Sequence, residues 1–322
     1  MKFILEIAVF CIVLFFYLHI YYHQKVENDL EVYSIEEPSK DKLEETCNLR
    51  QPLYFNFIND NIINNCELRS LEENYGAFDV NIRDTKNLDD TTELGLPFVL
   101  KEAINVLRND KESKYISENN IDFLEETAVI KHFKYNDSFL RPPLVSNCKY
   151  DFMTGSSGST TPLRYDLNYR NYYYVTGGEV IVRLIPPKNT KYLYTEKDYN
   201  NFEFRSPVNV WDVQPKYRAD YDKIKSLDIT LKKGMILFIP AYWWYSIKFE
   251  KISSICTMKY RTYMNTVSIL PEIVMNLLQR QSIKRNTIKN VIKTNNMNEV
   301  KNEAEPGETK QETKQEENNT DR

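Results

Sequence analysis

The chain has 322 residues, 42% of them hydrophobic and 13% aromatic, which is enough to bury a substantial core and too much for a disordered chain. Its 42 Lys and Arg residues stand against 46 Asp and Glu, interspersed, for a formal charge of −4. That balance excludes the basic footprint of a nucleic-acid reader.

Residues 3–22 read FILEIAVFCIVLFFYLHIYY, broken only by Glu6 and His19. At about 1.5 Å of rise per residue, such a helix crosses a hydrocarbon core. Glu6 lies close enough to the N-terminal end to reach the interface, and Tyr17, Tyr21 and Tyr22 form an aromatic belt at the other. The alternative is a cleaved signal peptide, but Leu18, His19, Ile20, Tyr21 and Tyr22 are too bulky for a peptidase site. Residues 1–23 are therefore expected to be one uncleaved, single-pass transmembrane anchor. Lys2 precedes it, while Glu27, Asp29, Glu31, Glu36 and Glu37 follow. This asymmetry predicts an N-in, C-out protein of the secretory pathway or cell surface. On that side Cys47, Cys66, Cys148 and Cys256 either pair or remain buried thiols, and Asn136 heads a glycosylation sequon.

Residues 24–46 are polar and acidic without a sustained apolar period and read as a stalk. Residues 284–322 form a polar tail, the last part of it built from Glu, Lys, Gln, Asn and Thr, with too little apolar surface to fold. One domain, residues 47–283, lies between. Leu100, Ala103, Ile104 and Leu107 follow Pro97 at helical spacing, predicting a core-packing helix that opens with proline. From residue 150 onward the pattern changes to short runs rich in Tyr, Val, Ile and Phe. Residues 172–175, 180–185, 228–231, 235–239 and 253–260 read as strands, so the domain is mainly β, a sandwich or barrel. A helix over 271–280, with Ile273, Val274, Leu277 and Leu278 on its apolar side, closes the domain and offers a surface for a homodimer.

Two segments carry more than a pattern. Residues 158–166 read Gly-Ser-Thr-Thr-Pro-Leu-Arg-Tyr-Asp, and residues 233–245 read Lys-Gly-Met-Ile-Leu-Phe-Ile-Pro-Ala-Tyr-Trp-Trp-Tyr. In length, order and separation they resemble the cupin-like Jumonji-C family of Fe(II)/2-oxoglutarate dioxygenases. In that family the first segment ends Leu-His-x-Asp and the second Trp-Trp-His, supplying three iron ligands. Residues 178–187 and Leu193-Tyr194 resemble the strand and turn between them, and Asn171 falls near the family's asparagine with one residue inserted. Weaker likenesses lie at 50–53 and 71–80. The resemblance covers roughly 47–271. It implies a double-stranded β-helix, the cupin or jelly-roll fold, with flanking helices behind the N-terminal transmembrane helix.

The resemblance also implies that Arg164, Asp166 and Tyr245 occupy the three metal-ligand positions. Two imidazoles and a carboxylate would hold iron there, yet the chain's only histidines are His19, His23 and His132, none of them in either motif. A guanidinium has no lone pair to give a metal. A phenolate at Tyr245 is costly from an ordinary pKa of about 10. The lysine that anchors 2-oxoglutarate would fall near Val180, beside the repelling Glu179, and Arg183 should face away from Val180 on the same strand. Neither a metal nor a cofactor is therefore expected, and no catalytic residue.

Arg164 and Asp166, two apart on an extended segment, are expected to pair with each other in place of the ion, with Tyr245 capping them. The alternative has Arg164 reaching solvent at a pocket mouth. Thr161, Asn171, Val180 and Trp243 mark a possible residual pocket. Tyr242, Trp243, Trp244 and the tyrosines at 172–174 read as core rather than a ligand cage. The leading expectation is a membrane-anchored pseudo-oxygenase that binds or scaffolds an unknown protein or small molecule, with no nucleic-acid role. Two alternatives stand beside it. One is an active hydroxylase- or demethylase-type oxygenase that holds Fe(II) through Asp166, Tyr245 and Glu179. The other is a metal-free cupin that binds a small molecule.

Overall fold

A computed structural model describes residues 2–36, 38–86, 95–199 and 201–282. The tail expected at 284–322 lies outside the described residues. The chain opens with α1 (Lys2–Gln24), then β1 (Tyr33–Ile35), α2 (Lys40–Asn48), β2 (Leu53–Asn56), α3 (Asp60–Cys66) and α4 (Leu68–Tyr75). There follow β3 (Asp79–Asp84), β4 (Leu96–Val99), α5 (Leu100–Asn109), β5 (Tyr115–Ser117), α6 (Ile121–Glu126) and α7 (Ile130–Asn136). The strand-rich half comprises β6 (Val145–Gly155), β7 (Arg164–Tyr165), β8 (Arg170–Gly177), β9 (Glu179–Ile185), β10 (Glu196–Asp198) and β11 (Glu203–Arg205). It ends with α8 (Pro215–Tyr221), β12 (Leu227–Lys232), β13 (Met235–Ile239), β14 (Trp244–Phe249), β15 (Ser253–Thr262) and α9 (Tyr263–Ser268).

The strands form a nine-stranded sheet, in the order β1-β2-β13-β8-β15-β6-β5-β3-β4, and a six-stranded sheet, β10-β11-β7-β14-β9-β12. Consecutive strands alternate between them over β6 to β9 and again over β12 to β15. β8 belongs to the first sheet and β9 to the second, joined through Gly178 at φ 78°, where a Cβ would collide with Ser253.

Alternation along each strand divides the core into layers. Tyr173 and Val175 of β8, Leu237 and Ile239 of β13 and Ile255 of β15 face Val180, Val182, Tyr245, Ile247 and Phe249 of the second sheet. Their neighbours Tyr172, Tyr174, Ile236, Phe238, Cys256 and Met258 turn to the outer face, where α2 to α7 cover them. Every residue of β8 is buried for this reason, and the tyrosines at 172–174 are core on both faces. The helix expected around 100–107 is α5. Its Leu100, Ala103, Ile104 and Leu107 are all buried, at roughly 1.5–3 kcal/mol for each large apolar side chain.

Two boundaries differ from expectation. Residues 24–46 are not a stalk: β1 pairs in parallel with β2, Tyr33 against Leu53 and Ile35 against Phe55, and α2 buries Leu43 and Cys47. Their apolar residues enter the core singly, between charges that stay outside, and so leave no period. Pro97 does not open α5; it sits in β4, an edge strand of its sheet where a missing N–H costs little, and the helix starts three residues later. Cys47, Cys66, Cys148 and Cys256 are free thiols. Residues 270–282 are helical as expected, and Val274, Leu277 and Leu278 on the apolar side are exposed.

Candidate functional site

β7 and β14 are neighbours, with Tyr245 directly opposite Arg164. Across the sandwich, alternation along β15 turns Lys259 inward beside Asn171 of β8. These strands bring Arg164, Asp166 and Tyr245 together as the motif spacing requires. The loop before β14 adds a tie, since Tyr242 at φ 68° donates its N–H to the Asp166 carbonyl at 2.9 Å.

The pairing differs from the one expected. Asp166 is held by Lys259, whose Nζ lies 2.9 and 2.8 Å from Oδ1 and Oδ2. Oδ2 also accepts the hydroxyls of Tyr245 at 2.9 Å and Tyr173 at 3.0 Å. Arg164 turns the other way: its Nη2 lies 2.7 Å from Oε2 of Glu118, and Nη1 lies 3.3 Å from Oε1 of Glu203. Only its Nε reaches back, donating to the Tyr245 hydroxyl at 3.1 Å. Glu118 is shared with Arg83 at 2.7 Å, so a chain of polar groups runs Arg83, Glu118, Arg164, Tyr245, Asp166, Lys259. Tyr245 does cap the arrangement, but as a relay between two ion pairs. Arg164 does not reach solvent, with its side chain only 12% exposed.

The reason is charge balance in a buried space. Burial alone would raise the Asp166 carboxyl, but the Lys259 ammonium, Arg164 and the Tyr245 donor more than offset it and hold it down at about 2. Glu118 follows the same logic: burial is overcome by Arg164 and Arg83, leaving it at about 2. Burial pushes Lys259 down, with Asp166 opposing. Burial, with Asp166 adding to it, drives the Tyr245 phenol well up and keeps it protonated as a donor.

These residues do not fit a ferrous ion. Asp166 has both oxygens committed to Lys259, Tyr245 is a neutral phenol, and a guanidinium stands where an imidazole would be needed. Among the described residues no group of three His, Cys, Asp or Glu is placed to hold a metal. The space left beside Glu118, Asp151, Arg164 and Lys259 is about 30 Å³, room for about two or three waters.

The four residues expected to line a residual pocket do not meet around one. Val180 and Trp243 are buried between the sheets. Asn171 is structural, its Nδ2 donating to the Ile239 carbonyl at 3.1 Å. The Thr161 hydroxyl oxygen accepts from the Ile247 N–H at 2.9 Å, and the residue borders a separate cleft of about 310 Å³ with Leu163, Ser206 and Asn209. Arg183 faces away from Val180 as expected, paired with Asp228 at 2.7 Å and stacked 4.3 Å from the Trp211 ring centroid.

Sequence reasoning did not find Lys259, Tyr173, Glu118, Arg83 or Glu203. For Lys259 the local pattern pointed the other way, because Thr257, Lys259 and Arg261 alternate with Cys256, Met258 and Tyr260 and read as the polar face of the strand. Glu118 and Arg83 come from distant elements, and no local pattern marks them.

Two sheets closed face to face around an inward Arg164–Asp166–Tyr245 set define a double-stranded β-helix of the cupin class. The cupin-like domain family matches residues 25–267, and the chain belongs to that family. The match begins within the segment first expected to be a stalk, in accord with the β1–β2 pairing. HSPB1-associated protein 1 of Rattus norvegicus and of Homo sapiens are each 30% identical to this chain over 95 residues, covering 29% of it and 20% of their own length. HSPB1-associated protein 1 homolog of Danio rerio is likewise 30% identical over 95 residues, 29% of this chain and 21% of its own. The chain thus matches about a fifth of the length of these curated relatives.

Proposed function

We propose that the chain is a membrane-anchored cupin-like protein whose domain is a pseudo-oxygenase, a non-catalytic module that binds or scaffolds another protein. One observation carries this reading: Asp166, the one family ligand retained, is already neutralised by Lys259. Opening that pair to admit iron would leave an ammonium that is only 17% exposed without its partner. An altered metal site built with Glu179 is disfavoured, because Glu179 sits next to Val180 on β9 and so points to the opposite face from the inter-sheet core. The small volume beside Arg164 weighs against a small molecule held there. The names of the relatives record association with HSPB1, which supports a protein as the bound partner.

The anchor reading is supported by α1, which is long and apolar enough to cross a membrane. Its last turn belongs to the domain: His23 is buried, its ring 5.4 Å from that of Tyr169, and its carbonyl accepts from Arg50 Nη1 at 3.1 Å. A leader destined for removal has no use for such contacts. The charge asymmetry around α1 supports N-in, C-out placement. The test is turnover: purified in detergent and given Fe(II), ascorbate and 2-oxoglutarate, the full chain is expected to yield no succinate above a protein-free control. Succinate formation that Asp166→Ala abolishes would sink the proposal.

A further inference from the structure

We infer that the surface surrounding the foot of α1 is a lipid-docking face, seated in the headgroup layer of the bilayer that α1 crosses; this rests on α1 being a membrane span. No free chain separates the helix from the domain. Arg50 Nη1 donates to the carbonyls of His23 at 3.1 Å and Lys25 at 3.2 Å, and its guanidinium lies 4.6 Å from the Tyr22 ring centroid. Gln24 Nε2 donates to the Ser268 carbonyl at 3.3 Å, and α9 packs against α1. Leu30 and Val32, a few residues on, are already packed on the inter-sheet core.

The apolar run of α1 ends at Tyr22, and His23 is buried in protein. Headgroup layers are about 5–8 Å thick, three to five residues of helical rise. A domain gripping the helix at residues 22–25 therefore has its nearest surface at headgroup depth, with the exposed Tyr22 and Lys25 there as an aromatic and basic collar around the buried Arg50.

The exposed side chains next to this grip are the kind that partition into an interface. Leu49, beside Arg50, is 52% exposed. Tyr263, the first residue of α9, is 63% exposed, and Leu270 just beyond α9 is 51% exposed. The Tyr263 N–H donates to the Leu144 carbonyl at 3.2 Å, which brings in Leu144, 75% exposed. Leu144 also has φ 54°, a left-handed conformation that a leucine adopts at a cost. Burial within the protein offsets none of that cost, whereas insertion into lipid would.

The test uses the full chain, with Cys11→Ser and Cys148→Ser, in phosphatidylcholine vesicles. One cysteine at a time is introduced at Phe10, Leu144, Tyr263 or Ile58 and carries an environment-sensitive fluorophore, read against lipids with quenchers at shallow or deep positions. Ile58 is 81% exposed at the end of β2 away from Arg50 and reports water. The expected result is deep quenching at Phe10, and shallow quenching at Leu144 and Tyr263 at least about twofold above that at Ile58. If Phe10 is quenched while Leu144 and Tyr263 match Ile58, the span stands and the docking face is refuted. If Phe10 itself is unquenched, the span reading falls and the docking face falls with it.

Discussion

Replacing Asp166 with Asn keeps the shape of the side chain and removes its charge. The Asn carbonyl can still accept from Tyr245 and Tyr173, but the Lys259 ammonium, now 2.8–2.9 Å from the amide, loses its anion and faces a donor or a neutral oxygen. Breaking a fully buried pair costs about 3–5 kcal/mol. With side chains 17% and 20% exposed, solvent screens part of this, and about 2–4 kcal/mol is the expected loss. For a domain of this size that is a fall in Tm of roughly 5–15 °C. Thermal melting followed by near-ultraviolet circular dichroism, which reports the packed aromatics, reads it directly. Lys259→Met added to Asp166→Asn should restore at least about half of the loss, because a matched neutral pair leaves no orphaned charge. A single variant that melts like the parent would refute the claim that Lys259 holds Asp166.

Acid should weaken the fold through the same groups. Asp166 and Glu118 have pKa values of about 2 in the folded chain, below their ordinary 3.8 and 4.5, so the unfolded chain takes up protons first. Their stabilisation is complete above about pH 4.5 and is lost as pH falls towards about 2, at roughly 2–3 kcal/mol for Asp166 and roughly 3–4 kcal/mol for Glu118. Urea midpoints that are flat over this window would contradict the pairing. Truncation to residue 47 removes β1 and α2 and uncovers Leu53 and Phe55. It should give an aggregating product, where a chain beginning at residue 25 stays soluble behind a detachable carrier; equal solubility of the two would restore the stalk. Asn136 is half-buried and its Nδ2 donates to the His132 carbonyl at 2.8 Å. With C-out placement, expression in a glycosylating cell should give a glycosidase-sensitive form that Asn136→Gln reduces, and an unshifted band would argue against that topology.

Much of the fold was legible because its signals are local. Runs such as 172–175 and 235–239 are apolar at every position, which is what strands covered on both faces require, and they became β8 and β13. β7, β10 and β11 are two or three residues long, too short to show any period. The 24–46 segment was misread for a related reason: Ile35 and Leu43 are isolated among charges, and what makes them core is β2 and the helices around them. At the site, the motif spacing placed Arg164, Asp166 and Tyr245 together, while the direction of the guanidinium was decided by Glu118 and Glu203, which local spacing cannot reveal. Glu118 and Glu203 are two carboxylates for two guanidiniums, Arg83 and Arg164. Asp166 had Lys259.

The central claim is that the ion pairs of Arg164 and Asp166 occupy the place of the metal. It is tested most directly by anaerobic calorimetric titration of Fe(II) into the full chain in detergent, followed by 2-oxoglutarate. The account predicts no saturable heat from either addition and an unchanged melting temperature. Stoichiometric iron binding that Asp166→Ala removes would contradict it, and would mean that Lys259 yields the carboxylate to a metal.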